Sequence, residues 1–409
     1  MRCIRQPWAI IVLAVAATSA VAADWPNWLG PNRNGSSSET GLLTTWPSTG
    51  PKVIWEAKGG DGYSSVAVAD GRAITLVQRD GKEMVLALDA VKGTDLWSTP
   101  IAAAYKNMYG NGPRSTPSIQ GDFVYVQSVT GPLACLNIKD GKIVWQHDLL
   151  KEFGAKNLTW GLAASPTIEG NLVLAVPGGK GAGVAAFDKK SGELVWKLGD
   201  DKAAYATPIG VTVGSTRQLI FFTATGLLAV SPAGKELWRV PWTTEYDCNI
   251  CTPLIIGDKI FVSSGEQVGC ALFQLLAEGP PKEVWRGAGK QSPLTNYWAN
   301  SIVYEGHLYG MSGEFDKRID LRCVELKSGK VKWSQDGFGK ASITLADGHL
   351  FLTTKKGDLV LIRATPERYD EKARVTILGE NRTVGTIANK RLYLRDKEKI
   401  LCVDLGAGN

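Results

Sequence analysis

Short aliphatic stretches alternate with Gly-bearing turns along most of the chain, and none holds the 3.6-residue period of an amphipathic helix. The string CLNIKDGKIVWQ (135–146) reads as strand, turn, strand. It returns as ALDAVKGTDLWS (87–98), AFDKKSGELVWK (186–197) and CVELKSGKVKWS (323–334). Trp closes such a strand at 55, 97, 145, 196, 238, 285 and 333, at intervals of 42, 48, 51, 42, 47 and 48 residues. A further strand, Arg374–Leu378, lacks the Trp, and its Ile377 falls 44 residues after Trp333. Upstream of the Trp strands a second piece recurs, as STPSIQGDFVYV (115–126), SPTIEGNLVLAV (165–176), TPLIIGDKIFVS (252–263) and SITLADGHLFLT (342–353). Their Gly-Asp, Gly-Asn and Asp-Gly pairs favour two-residue hairpin turns.

Four short antiparallel strands in every 42 to 51 residues is the period of a β-propeller blade. The pattern therefore predicts an all-β, eight-bladed β-propeller of four-stranded blades. Seven units run over 63–98, 114–147, 161–198, 203–240, 250–286, 298–334 and 340–378. The last, 383–405, supplies three strands, TVGTIAN, RLYLR and ILCVDL. The orphan Trp strand at 52–56 is expected to join it as the fourth strand and close the ring, which leaves no terminal blade to peel away. Pro117, Pro166, Pro208 and Pro253 are expected inside the innermost strands, where an edge facing the channel tolerates a missing donor. The Trp of each outer strand has room to pack across to the next blade.

The chain ends add a compartment. Arg2 and Arg5 precede an apolar run from Trp8 to Ala17, then small residues at 18–23 offer a cleavage site. Residues 1–23 read as a secretory signal peptide, and 24–409 as one propeller preceded by an N-terminal extension at 24–51. Periplasmic or secreted localisation follows, with no transmembrane segment. Losing Arg2 and Arg5 takes the formal charge from +6 to +4, too mild for nucleic acid, which wants a concentrated basic face.

The candidate chemistries thin out quickly. Cys135, Cys323 and Cys402 occupy one slot of the repeat in non-neighbouring blades, too far apart for disulfides, and read with Cys270 as small buried apolar residues. Cys248-Asn249-Ile250-Cys251 has no second pair or His to complete a metal site, and Thr252 excludes a c-type haem. His147, His307 and His349 fall at turns or edges. The run PGGKGAG (177–183) lacks the Lys-Ser/Thr ending and the helix of a phosphate loop, so it reads as a hairpin loop.

The string A-x-D-x-x-x-G-x-x-x-W at Ala87–Trp97 and Ala186–Trp196 resembles the tryptophan-docking motif of the PQQ-like (quinoprotein-type) repeat propellers. Cys135–Trp145 and Cys323–Trp333 fit it with Cys in the first slot, and DWPNWLGPNRNG (24–35) resembles the start of exported bacterial members. That family divides into dehydrogenases, which hold pyrroloquinoline quinone (PQQ) and Ca²⁺ in the funnel, and scaffold propellers such as that of the outer-membrane β-barrel assembly machinery. The resemblance implies the wheel and leaves the choice to the site. The dehydrogenases' adjacent Cys-Cys pair is missing here.

What remains is the set of loops leading into the inner strands, at 102–114, 151–161, 241–249 and 287–300. They offer Arg114, Trp160, Tyr246, Asp247, Asn249, Tyr297, Trp298 and Asn300 as ligand-binding residues for a quinone, a sugar or a peptide. The leading expectation is a monomeric, exported, non-catalytic binding propeller with no cofactor, whose funnel face takes an envelope protein or glycan. The alternatives are a PQQ- and Ca²⁺-dependent alcohol or sugar dehydrogenase with an atypical site, and a carbohydrate-binding propeller.

Overall fold

The computed structural model describes residues 23–314 and 319–407, so the export signal expected at 1–23 lies outside the described residues but for Ala23. Eight four-stranded antiparallel sheets surround a central channel. Blade one runs outward through Ala67–Ala69, Arg72–Arg79, Lys82–Asp89 and Asp95–Ala103. Six blades repeat that order over 118–148, 167–198, 209–241, 254–287, 302–335 and 341–376. Blade eight holds Thr386–Ala388, Arg391–Arg395 and Lys399–Asp404, with Val53–Lys58 antiparallel on its outside, so the N-terminal strand closes the ring as expected. The predicted two-residue turns hold, as Ile256 faces Lys259 and Ala346 faces His349.

The prolines are placed differently from expectation. The inner strands begin at Ser118, Thr167, Ile209 and Leu254, so each proline stands one residue ahead of its strand and costs the ladder nothing. Two of the carbonyls are used between blades: Ser118 Oγ donates to Pro166 O at 2.6 Å and Thr167 Oγ1 to Pro208 O at 2.7 Å. The small residues beside them form a belt. Val384 N donates to Ser65 Oγ, Ser65 N to Thr116 Oγ1, Thr116 N to Ser165 Oγ, and Ser165 N to Thr207 Oγ1, at 2.9 to 3.1 Å. Thr207 N extends the series to Thr252 Oγ1 at 3.4 Å. Hydroxyls thus satisfy backbone donors where converging blades leave no room for a larger side chain.

At the outer rim every blade carries a β-bulge one residue before the docking position, as where Trp97 faces Ala87 but Asp95 faces Leu88. The bulge twists the edge strand and tips the indole onto the following blade. Trp55, Trp97, Trp145, Trp196, Trp285 and Trp333 each donate Nε1–H to a carbonyl of that blade, at 2.8 to 3.2 Å. The ring lies on the motif glycine. A Cβ added to Gly93, Gly192, Gly234 or Gly329 would stand only 2.6 to 3.0 Å from the indole. Where Cys replaces Ala in the first slot, the residue facing it is Tyr125, Tyr309 or Tyr393, so a thiol fills the gap beneath a phenol. All six described cysteines are free and buried.

Two blades depart from this rule. Trp238 turns its Nε1–H to Gln218 of its own blade. In blade seven the ladder places Ala373, not Ile377, at the tryptophan position, opposite Leu361. The vacancy is covered by Trp46 of the N-terminal extension, whose ring lies 6.5 Å from Phe351 and packs among Leu361, Ala373 and Leu378. Phe351 matches Tyr309 of blade six in register, and Tyr309 sits 6.0 Å from Trp333.

The extension also crosses the channel. Trp25 pairs with Val68 of blade one, Pro26 O accepts from Ile119 N of blade two, and Gly35 and Ser37 flank Leu345 of blade seven. At the seam between blades eight and one, the wholly buried Arg395 donates to Gly60 O, Ser64 O, Thr75 Oγ1 and Leu76 O at 2.5 to 3.2 Å. Burial pulls its pKa down to about 10, and the carbonyls take the place of a counter-ion.

Two predictions follow from the docking geometry. Gly141 (φ +70°) lies against Trp97, whereas Gly121 (φ +57°) has open space beside it. Alanine at either costs about 1 kcal/mol of left-handed strain, and Gly141→Ala adds about 1–3 kcal/mol of overpacking. Denaturant midpoints will separate the two, and equal losses would disprove docking on the turn. Trp46→Ala should cost about 3–5 kcal/mol, like truncation of a core aromatic; a change below about 1 kcal/mol would show that blade seven does without it.

Candidate functional site

Eight loops, each joining an outer strand to the next inner strand, meet over the channel and enclose a cavity of about 480 Å³. Every one contributes to the wall: Tyr63, then Tyr109 and Arg114, Trp160, Tyr205, Ile250, Tyr297 and Trp298, Lys340, and Arg382. The hydroxyl belt forms the lower wall through Ser165, Thr207 and Thr252. The floor is Trp28 of the extension, which reaches up the channel and donates Nε1–H to Thr252 Oγ1 at 3.1 Å. A wider depression of about 760 Å³ on the opposite face mixes Asp24, Arg33, Asp70 and Glu169 with no aromatic wall.

Arg114 is held rigidly. Its guanidinium donates to Trp160 O at 2.8 Å, to Gly110 O at 2.7 Å and to Gly112 O, and it stacks 5.3 Å from the Tyr63 ring and 5.1 Å from Tyr105. Burial lowers its pKa from the ordinary value. Arg382 stacks on Tyr63 as well, at 5.2 Å, and gives one long bond of 3.4 Å to Tyr109 O. Trp160 sits between Tyr109 at 6.0 Å and Tyr205 at 5.7 Å. Burial lifts the Tyr297 phenol to about 12 and raises Tyr205 further, so both stay protonated donors at neutral pH.

Of the residues picked from sequence, Arg114, Trp160, Tyr297 and Trp298 converge on the cavity. The other four do not line it. Tyr246 is 58% exposed near the loop surface, and Asp247, in left-handed backbone (φ +57°), pairs with Lys202 at 3.7 Å. Asn249 is fully buried, bonding Thr223 O, Trp242 O and Ser264 Oγ, while its own carbonyl accepts from Tyr205 N. Asn300 fixes Thr252 O at 2.7 Å. These two amides position wall residues instead of facing a ligand. Tyr63, Tyr205, Lys340, Arg382 and Trp28 were not picked; the signal for Tyr205 was an aromatic placed just before an inner strand, as with Trp160.

Cys248 and Cys251 point their thiols at different carbonyls, Tyr246 O for one and Asn296 O and Ala299 O for the other. Gly179 and Ala182 pair across PGGKGAG, a hairpin loop as read. Behind the Trp160 loop lies Glu83, buried, accepting from Ser128 Oγ at 2.7 Å and Val129 N at 3.4 Å. Val129 O in turn accepts from Leu162 N and Asn157 Nδ2, both at 3.1 Å. Burial raises the Glu83 carboxyl to about 7, against the lowering pull of its two hydrogen bonds and of Arg114.

The family model for outer membrane protein assembly factor BamB matches residues 81–312. The chain is similar to the outer membrane protein assembly factor BamB of Yersinia pestis, with 21% identity over 320 residues, 75% of this chain and 77% of that one. Among solved structures it is similar to BamB from Moraxella catarrhalis (TM-score 0.62, 14% identity, 87% of this chain and 99% of that one). It is also similar to quinohemoprotein alcohol dehydrogenase from Comamonas testosteroni (TM-score 0.65, 13% identity, 95% of this chain and 81% of that one). At such identities the structural likeness speaks for the fold alone.

Glu83 makes the loop scaffold sensitive to pH. Its folded pKa of about 7 lies above the ordinary 4.5, so the folded state holds the proton more tightly. Stability should therefore fall as pH rises from about 4.5 to about 7. Glu83→Gln should flatten that slope in denaturant midpoints between about pH 5 and pH 8, and an unchanged slope would exonerate this carboxyl.

Proposed function

Because the chain belongs to the outer membrane protein assembly factor BamB family, we propose that it is an exported, non-catalytic binding propeller that holds a partner protein of the envelope against its funnel face. The observation that carries this reading is the convergence of all eight entry loops on one closed-bottomed cavity, rich in Tyr, Trp and Arg. Those are the residue types that dominate protein–protein hot spots. Met108, 89% exposed, and Tyr246 extend the same loops outward as apolar contacts.

The dehydrogenase alternative asks for a quinone with Ca²⁺ beside it. Ca²⁺ takes oxygen donors, carboxylates above all, yet among the described residues no Asp or Glu lines the cavity. Among the described residues no group of three or more His, Cys, Asp and Glu is gathered for a metal. The residues do not fit that group. A carbohydrate could stack on the indoles and meet the phenols and hydroxyls of the wall, but among the described residues no amide or carboxylate side chain lines the cavity to read its hydroxyls.

A photo-crosslinking residue in place of Met108, in the producing cell, should trap one envelope protein. The trap should vanish in a Tyr246→Asp background of unchanged melting temperature, and the same probe in place of Asp258, on the opposite face, should trap nothing. Equal trapping from both faces would overturn the docking reading. So would dye-linked oxidation of an alcohol or sugar by the purified protein given PQQ and Ca²⁺.

A further inference from the structure

The blade order gives the cavity a polarity. Lys340 enters from blade seven, Arg382 from blade eight and Arg114 from blade two, with Tyr63 of blade one between the two arginines. The opposite half, from blades three to six, presents Trp160, Tyr205, Ile250, Tyr297 and Trp298. One side therefore holds all three cations of the described lining, with Tyr63 and Tyr109 beside them, the other side holds most of the aromatic rings, and among the described residues no carboxylate lines either.

The cationic side is built at a cost. Arg114 and Arg382 stack on the same Tyr63 ring and repel each other. Arg114 spends its donors on backbone carbonyls, whereas Arg382 has one long bond, and its Nε is out of solvent with no hydrogen-bond partner. Like charges held close in a partly dry site are relieved by an anion, and a guanidinium fork matches a carboxylate bidentately. Trp28 stands at the base of the cavity, held by its hydrogen bond to Thr252 Oγ1. A volume of about 480 Å³ lies within the range of small-ligand pockets, so it admits a short insert and not a folded surface.

We propose that the cavity captures an acidic peptide segment of the partner protein, with an Asp or Glu carboxylate on the Arg382 side and an adjacent aromatic side chain among Trp160, Tyr205 and Trp298. This rests on the docking reading above and specifies what docks. The carboxylate bonds the Arg382 guanidinium and screens it from Arg114, while the aromatic side chain is buried against the indoles.

Calorimetric titration of the full mature protein with three capped hexapeptides tests it, one containing Glu-Phe, one Gln-Phe and one Glu-Ala. The Glu-Phe peptide should bind at least about tenfold more tightly than either of the others, and its affinity should fall with salt. Arg382→Gln should weaken it about tenfold at the parent melting temperature, and Trp298→Ala should erase the preference for Phe. Equal binding of the Gln-Phe peptide, or no effect of Arg382→Gln, overturns the assignment. So does binding of 2-naphthoate with no binding of any peptide, which would make the ligand a small aromatic acid. The crosslink from position 108 separates this proposal from the one it rests on. If that crosslink persists at full yield in Arg382→Gln, carboxylate capture fails and rim docking stands; if it falls with peptide affinity, both hold.

Discussion

A tryptophan lying on a neighbour's glycine is the contact on which the rest of this molecule depends. A propeller blade alone is a twisted sheet with two open faces, and it becomes stable by covering those faces with the blades beside it. The indole supplies a large apolar area and one directed donor, and the carbonyl it meets sits in the motif turn of the next blade. That turn must come close, which is why its glycine serves twice, for its positive φ and for its missing side chain. The bulge before each tryptophan aims the ring and also spoils the outer edge as a template for further strands. Val144, Val195 and Val284, exposed at the bulges, are the residue of that compromise.

Circumferential order at the rim fixes what happens at the hub. With eight blades clamped outside, the inner strands meet as Ser, Thr and Ala, and hydroxyls carry hydrogen bonds from blade to blade. The gap left along the axis is filled from below by the N-terminal extension and from above by eight loops. A cationic and aromatic chamber results because neither the loops nor the extension beneath them is bound to the repeat. Arg395 serves the same order at the seam, where four acceptors hold a buried guanidinium that unites the first and last blades.

Much of this was legible in the residues, and the limits have physical causes. The Trp period and the Gly-Asp type turns are local signals, and they predicted eight blades, their hairpins and the closing strand at 52–56. Pro117 and its counterparts were misplaced by one residue because a proline reads alike just before a strand and at its first position. Trp46 was invisible as a substitute for the missing tryptophan of blade seven, since its partner Phe351 is remote in the chain. The same holds for Trp28 and Thr252. In the loops, length and lack of repetition point to four of the eight segments that line the cavity, yet a loop has no period to say which side chains face inward. Trp298 and Asn300 are two residues apart, and one lines the chamber while the other braces it.

The closed ring also sets a timetable. Arg395 grips Gly60 across 335 residues, and Val53 pairs with Val403. Contacts of such separation form late, because the chain entropy they cost is repaid only once the intervening blades exist. During synthesis the strand Val53–Lys58 is made first and finds its ladder last, with Ile54 and Trp55 unshielded in between. Until the last blade forms, the chain is an open spiral whose leading edge has unpaired backbone groups that another chain could pair with. A truncation within the last blade would leave the molecule in that state for good.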